Sequence, residues 1–338
     1  MFASGAALLR RRASSVLRRC SFSDAPSWPA HFFSSATASE RMNPPPIRVS
    51  LTESAGRGVF ATREIAAGEL IHSANPLVVH PSLSLLDKVC YYCLGRLHEA
   101  PSPLSCSAVE ENDSSKTAAS YFCSESCREQ SKGFFEIERR LDWSSFHRYC
   151  SLKRLKYPLM VKRLACMVIS GAASIDSLDI LQPASLHHEI IAEMEEEFQL
   201  LKDTFQLGQF KNDMTFLTKE WYINVLARIR INAFRIELVA RSYEEMLSSA
   251  VAFIAVDAAV GNAIYMLPSF YNHDCDPNTH IIWLENASAK LKALRHIEEG
   301  EELRICYIDT SMDFEARQKI LGEGFGFQCR CLRCLSHD

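Results

Sequence analysis

The chain has 338 residues, 47% of them hydrophobic and 23% charged, with a formal net charge of −4 at pH 7. That is a globular composition, long enough for one large domain or two modest ones, and it excludes collagen, coiled-coil rods and bulk disorder. No run approaches the roughly 18 apolar residues of a membrane helix, and a net negative charge lacks the basic face of a general nucleic-acid binder.

The first 46 residues differ from the rest. They hold six arginines (Arg10, Arg11, Arg12, Arg18, Arg19, Arg41), only two acids (Asp24, Glu40) and no lysine. Leu8, Leu9, Val16 and Leu17 can share a helical face opposite the arginines. An Arg- and Ser-rich, acid-poor, amphipathic segment has the composition of an organellar transit peptide; the bland reading is a basic tail without structure. A start at Met42 would delete the segment. The compartment stays open accordingly: mitochondrion or plastid if it is an address, nucleus or cytoplasm otherwise. Pro44-Pro45-Pro46 punctuates the boundary. Without residues 1–46 the chain keeps 31 basic and 39 acidic side chains, a net charge of about −8.

Residues 47–80 read as short strands and turns: Ile47-Arg48-Val49, a turn at Gly56-Arg57-Gly58, Val59-Phe60-Ala61, and a turn at 65–69 into Leu70-Ile71. Residues 88–150 are cysteine-rich around a polar, Ser-rich loop, 101–119. Residues 151–250 have helical periodicity. One apolar stripe runs through Leu155, Leu159, Val161, Leu164 and Met167. A second runs through Ile190, Met194, Phe198, Leu201 and Phe205, with Glu195-Glu196-Glu197 largely on its wet face. Residues 251–310 return to short β runs, 281–284 and 303–307 among them, and 311–322 read as a helix.

The 13 cysteines are too sparse for a disulfide-knotted domain. Cys90 and Cys93 form a C-x2-C pair, and Cys123 and Cys127 a C-x3-C pair; two such pairs complete tetrahedral zinc. Cys106, His147 and Cys150 offer a further set, short of an unidentified fourth ligand, so a third zinc and an ordinary histidine at position 147 both stand as readings. Cys329, Cys331 and Cys334 place three thiolates within six residues, and mutual disulfides at that spacing would be strained. Cys275 is the best candidate for their fourth ligand. Cys20, Cys166 and Cys306 have no such partners; Cys166 and Cys306 read as small buried hydrophobes.

Four segments in order resemble a SET-domain lysine methyltransferase: 56–61 with Ile65 and Gly68-Glu69; Asn272-His273-Asp274-Cys275-Asp276-Pro277-Asn278; Gly300-Glu301-Glu302-Leu303-Arg304-Ile305-Cys306-Tyr307; and Phe327 with the last three cysteines. The cysteine-rich module in the first gap resembles a MYND-type zinc finger, the arrangement of the SET-and-MYND (SMYD) methyltransferases. The resemblance implies an α+β fold. SET-domain β-sheets with a knot-like substructure would span 47–310, interrupted by the finger (88–150) and a helical insert (151–250), with a zinc-bound post-SET tail at 311–338.

It also implies chemistry: methyl transfer from S-adenosylmethionine to a protein lysine, with two zinc ions and room for a third. The catalytic residue would be Tyr307. The cofactor would be bound by Arg57, Gly58, Asn232, Asn272, His273 and Phe327, with Tyr265 and Tyr307 walling the lysine channel; a plain core tyrosine is the competing reading of Tyr265. The reaction needs donor and acceptor held in line and a neutral amine, which an apolar channel and the sulfonium charge supply by lowering the lysine pKa. A histone or non-histone protein would be the substrate. No sequence-specific nucleic-acid binding, no membrane and a monomer are expected. The competing reading is a zinc-dependent interaction module without turnover. A zinc hydrolase is disfavoured, because both thiolate sets are closed. Tyr271 and Asp274 depart from the commoner neighbours of the Asn-His pair. The chain stops just after Cys334, without the long helical-repeat domain that frames the substrate cleft of larger relatives.

Overall fold

The computed structural model describes residues 44–97, 121–208, 210, 214–239 and 259–338. Cys20, Cys106 and the proposed transit segment up to residue 43 lie outside the described residues. The compact body runs from Pro45 to Asp338.

Three small sheets lie among the described residues. The first joins β1 (Ile47–Leu51), β2 (Arg57–Ala61), β10 (Glu302–Ile305) and β7 (Asn272–His273), in that order. The second joins β3 (Leu70–Ala74), β9 (Ala289–Ala293) and β8 (Thr279–Ile282). The third joins β4 (Val78–Pro81), β6 (Gly261–Ile264) and β5 (Ala233–Ile236). All pairings are antiparallel except β10 with β7, which run parallel, Arg304 opposite Asn272 and Ile305 opposite His273. At its other end β10 pairs with β2, Glu302 opposite Phe60. One four-residue strand therefore brings chain positions near 57 and 272 to neighbouring edges.

The strands form where β-branched and aromatic residues alternate inward. Val59, Leu303 and Ile305 are buried in the core. Gly56, at φ +74°, makes the turn before β2 that a side chain would strain, and Thr52 N–H donates to its carbonyl at 2.6 Å. Arg57 and Gly58 begin β2 rather than sit in the turn, because their register with Leu51 and Ser50 extends the β1 pairing.

The helices are α1 (Glu125–Arg139), α2 (Ser144–Leu152), α3 (Tyr157–Ile169), α4 (His188–Leu207), α5 (Lys219–Asn232), α6 (Phe314–Phe325) and α7 (Leu332–Leu335). Helix α3 packs against α1, α5 and β4 and is buried from Pro158 through Cys166, so a single apolar stripe understates it. Two buried cations sit within it. Arg163 Nε donates to Glu138 Oε1 of α1 at 2.5 Å, and Lys162 Nζ lies 3.5 Å from Glu138 Oε2. Tyr91 OH also donates to that carboxylate. Burial alone would raise the Glu138 carboxyl; Arg163 and Lys162 outweigh it and hold it at about 2. Along α4, Met194, Phe198, Leu201 and Phe205 are buried as the periodicity predicts, while Ile190 is half-buried. Glu197 is turned inward, unlike exposed Glu195 and Glu196, because Tyr222 of α5 donates its hydroxyl to Glu197 at 2.8 Å.

Helix α6 opens on an Asp313 cap, whose side chain accepts from Ala316 N–H at 2.8 Å. It closes on Gly326 in the left-handed conformation. That turn directs the chain from Phe325 to Phe327 and on to the last three cysteines.

Candidate active site and metal centres

Strand β10 organises the site. Asn272 Nδ2 donates to Glu302 Oε1 at 2.7 Å and to the Arg57 carbonyl at 3.1 Å. Glu302 Oε2 accepts from Arg304 Nη2 at 2.6 Å, and Arg304 Nη1 reaches Asp274 Oδ2 at 3.3 Å. With its amide nitrogen engaged by the protein, Asn272 keeps its Oδ1 acceptor for a ligand. Gly58 stands against this pair. A Cβ there would lie 2.6 Å from Glu302 Oε1, 2.7 Å from Thr52 Cγ2 and 3.2 Å from Asn272 Nδ2. The neighbouring Arg57 guanidinium donates to the Ile180 carbonyl and lies 4.6 Å over the Phe270 ring. Asn232, at the end of α5, donates from Nδ2 to the Gln182 carbonyl at 2.9 Å and the Arg228 carbonyl at 2.8 Å. The 180–182 segment therefore touches both Arg57 and Asn232.

Tyr307 lies just beyond β10 and is held at both ends. Its hydroxyl donates to the Tyr271 carbonyl at 2.6 Å, and its backbone N–H donates to His273 Nδ1 at 3.1 Å. The residue is half-buried, but burial of the hydroxyl first, and the Glu302 charge second, push that hydroxyl well above the usual tyrosine range. It is a neutral group at physiological pH, able to donate and accept but not to act as an anionic base. Phe325 and Phe327 flank its ring at 5.1 and 6.4 Å between centroids, and Phe327 lies 6.0 Å from the His273 ring. The buried Tyr271 hydroxyl meets His72 Nε2 at 2.9 Å.

Tyr265 is in the core. It is fully buried, donates its hydroxyl to the Ala287 carbonyl at 2.6 Å and accepts from Trp283 Nε1 at 2.8 Å. It has no hydroxyl to spare for a lysine channel.

Both predicted four-cysteine sets assemble. The sulfurs of Cys90, Cys93, Cys123 and Cys127 lie within 4.8 Å of one another, as do those of Cys275, Cys329, Cys331 and Cys334. Measured separations include Cys93–Cys123 at 3.5 Å, Cys123–Cys127 at 3.6 Å, Cys275–Cys334 at 3.5 Å and Cys275–Cys329 at 3.9 Å. Tetrahedral zinc with Zn–S near 2.3 Å sets sulfurs about 3.8 Å apart, so both sets fit the ion, and none of these cysteines is in a disulfide. Burial above all pushes the Cys329 thiol up to about 12, with the Cys331 and Cys334 sulfurs adding to it against an opposing backbone hydrogen bond from Cys331. The buried Arg317 sets Nη2 4.0 Å from Cys334 Sγ, where its charge offsets a thiolate cluster.

The third set is not formed among the described residues. Among the described residues, His147 and Cys150 belong to no group of metal-ligand atoms, and Cys106 lies outside those residues. His147 Nε2 instead faces the Lys162 ammonium at 3.4 Å. Burial first and that charge second hold the imidazole at about 4. A zinc ion at about 2 Å from this nitrogen would collide with the ammonium. Cys150 and Cys166 are buried thiols; half-buried Cys306 donates to the Ile308 carbonyl at 2.9 Å.

The SET-domain profile matches residues 56–308. The chain belongs to the SET-domain family. Histone-lysine N-methyltransferase ATXR4 of Arabidopsis thaliana is 58% identical over 314 residues, 91% of this chain and 93% of that protein. SET and MYND domain-containing protein DDB_G0292454 of Dictyostelium discoideum is 23% identical over 278 residues, 79% of this chain and 77% of the relative. Human histone-lysine N-methyltransferase SMYD3 is 26% identical over 309 residues, 88% and 63% of the respective chains. In this SET-domain protein, the site also contains four side chains that the sequence motifs leave without a role: Glu302, Tyr271, His72 and Phe325. Glu302 lies in a motif whose acidic pair could flag it, and Tyr271 is a departure beside the Asn-His pair. His72 and Phe325 carry no local signal, because strands and a helix end far apart in sequence bring them to the site.

Proposed function

We propose that this SET-domain protein is an S-adenosylmethionine-dependent protein-lysine N-methyltransferase. The observation that carries it is Tyr307, neutral and pinned by Tyr271 and His273 beside apolar rings, one short parallel pairing away from Asn272. Relatives named as histone-lysine methyltransferases at 58% and 26% identity support it. The cofactor supplies an electrophilic methyl group on a sulfonium. This chain's residues bind, orient and exclude water. Asn272 Oδ1 suits the ammonium of the cofactor's amino-acid end, and the close approach at Gly58 keeps the backbone near it. Glu302 adds negative charge where a cationic cofactor would lie. The rings of Phe325, Phe327 and Tyr307 make a surround in which a lysine loses its proton by desolvation. The Tyr307 hydroxyl, donating to Tyr271, accepts from the amine and orients it for in-line attack.

The finer anatomy follows the same reading. Residues 88–150 act as a MYND-type finger with one zinc, 151–250 as the helical insert, and 311–338 as a post-SET tail with the second zinc. The parallel β7–β10 pairing supports a knot-like core, and the Arg-rich first 46 residues support an organellar address. The substrate is a protein lysine, histone or non-histone, met by a monomer without nucleic-acid or membrane contact. Isothermal titration with S-adenosylmethionine, followed by radiolabelled methyl transfer to histones and to a protein lysate, tests the activity. Binding plus lysine labelling that is lost in Tyr307→Phe is the expected result; binding without labelling of any protein would leave an interaction module instead. Comparing fluorescent fusions of the full chain and of one starting at Met42 tests the address.

A further inference from the structure

Both nitrogens of the His273 ring are engaged, and by groups of different standing. The Tyr307 backbone N–H, 3.1 Å from Nδ1, can only donate. Nδ1 must therefore be the bare, accepting nitrogen, and Nε2 must carry the hydrogen. That hydrogen faces Cys275 Sγ, 3.3 Å away, and Cys275 Sγ in turn lies 3.5 Å from Cys334 Sγ in the tail cluster. The ring is buried, 7% exposed, so water does not compete for either bond. The Tyr307 contact fixes the tautomer of the neutral ring, and the Cys275 contact gives its hydrogen an acceptor.

We infer that His273 is a positioning residue whose ring links the tail metal site to Tyr307. The inference rests on reading the tail cysteines as a zinc site and Tyr307 as catalytic. A metal-bound thiolate accepts a hydrogen bond more strongly than a neutral thiol does. Occupancy of the tail site thus tightens Nε2–H on Cys275, fixes the ring, and presents Nδ1 to the Tyr307 N–H. The Tyr271 carbonyl holds the hydroxyl end of the same residue. The tail acts on the active site through this ring as well as through the placement of Phe327.

The test begins with the metal content and the histidine 15N spectrum of the wild-type protein. The expected result is two zinc ions per chain and a His273 ring protonated at Nε2, whose Nε2 signal moves when a chelator strips the tail zinc. Zinc present with His273 protonated at Nδ1 would overturn the link while leaving the zinc reading intact. Absence of zinc from the tail would overturn both, and the metal analysis tells the two failures apart. Two variants separate the ends of the ring. His273→Asn keeps an acceptor at the Nδ1 position and removes the sulfur donor; His273→Gln keeps a donor at the Nε2 position and removes the acceptor. The expected pattern is crossed. His273→Asn releases tail zinc to a chelator at least threefold faster than His273→Gln, whereas His273→Gln loses at least threefold more kcat than His273→Asn at equal S-adenosylmethionine affinity. Equal zinc release and equal kcat in the two variants would sink the link.

Discussion

Glu302 Oε1 accepts from Asn272 Nδ2 at 2.7 Å, and this contact decides which end of the amide meets a ligand. Residues 30 positions apart become neighbours because β10 pairs with β7 in parallel. Hydrogen bonds to a charged group contribute about 1.5–3 kcal/mol. Glu302→Ala should therefore weaken S-adenosylmethionine binding by roughly 10- to 100-fold. Binding of methylthioadenosine, which lacks the amino-acid end, should change far less. Equal losses for both ligands in calorimetry would place Glu302 elsewhere in the site.

Gly58 tests the same corner by crowding. Its missing Cβ would sit 2.6 Å from Glu302 Oε1 and 2.7 Å from Thr52 Cγ2, so Gly58→Ala must push the carboxylate off Asn272. Overpacking of this kind costs about 1–3 kcal/mol. A loss of about tenfold in cofactor affinity is expected, with thermal unfolding and calorimetry run on the same sample; affinity equal to wild type would show that the corner yields freely.

Tyr307→Phe removes the hydroxyl that reaches the Tyr271 carbonyl at 2.6 Å and leaves the ring among Phe325 and Phe327. Misorientation of the amine should lower kcat by about 100-fold with cofactor affinity within threefold. A variant retaining near-full kcat would remove Tyr307 from the chemistry.

His72 predicts a pH dependence. Burial holds its imidazole at about 4, below the roughly 6.5 of an exposed histidine. Between those values the unfolded chain binds a proton that the folded chain refuses, so stability is intact above about 6.5 and declines as pH falls towards 4. Denaturant unfolding of wild type and His72→Gln across this window should show a shallower decline in the variant. Parallel curves would assign the slope to other groups. Since the folded protein protonates His72 only near 4 and this ring holds the Tyr271 hydroxyl, kcat should hold through this window and fall only as pH approaches 4.

Metal analysis should return two zinc ions per chain, not three, because the Lys162 ammonium faces His147 Nε2. Removing Glu138 should be severe. Glu138→Ala leaves Lys162 and Arg163 buried without their counter-charge, which costs about 3–5 kcal/mol. A third zinc in wild-type protein, or a Glu138→Ala protein as stable as wild type in urea, would refute this account of the finger–helix junction.

Short-range chemistry is legible in the amino-acid sequence itself. Paired thiols three or four residues apart and glycine beside β-branched residues depend on local geometry, so spacing identifies the first four-cysteine set and three ligands of the second, while the expectation that Tyr307 lies near Asn272 and His273 comes from the resemblance of the ordered motifs to SET-domain proteins. Cys275, 54 positions before Cys329, stands in the sequence only as the best candidate for the fourth tail ligand, and the tertiary structure brings it to the other three. What depends on long-range pairing is not legible there. Which amide face Asn272 presents depends on Glu302; which nitrogen of His273 carries the hydrogen depends on the Tyr307 backbone; and the hydroxyl of Tyr265 is consumed by Trp283 and Ala287, 18 and 22 positions away. The Lys162 ammonium facing His147 has the same origin. His147 sits three residues before Cys150 in a ligand-like spacing, but α3 swings a buried lysine onto its nitrogen. Periodicity shows that α3 is apolar; only its packing against α1 and β4 decides that two of its cations point inward, because a buried charge is set by the partner it finds and that partner, Glu138, lies on another helix.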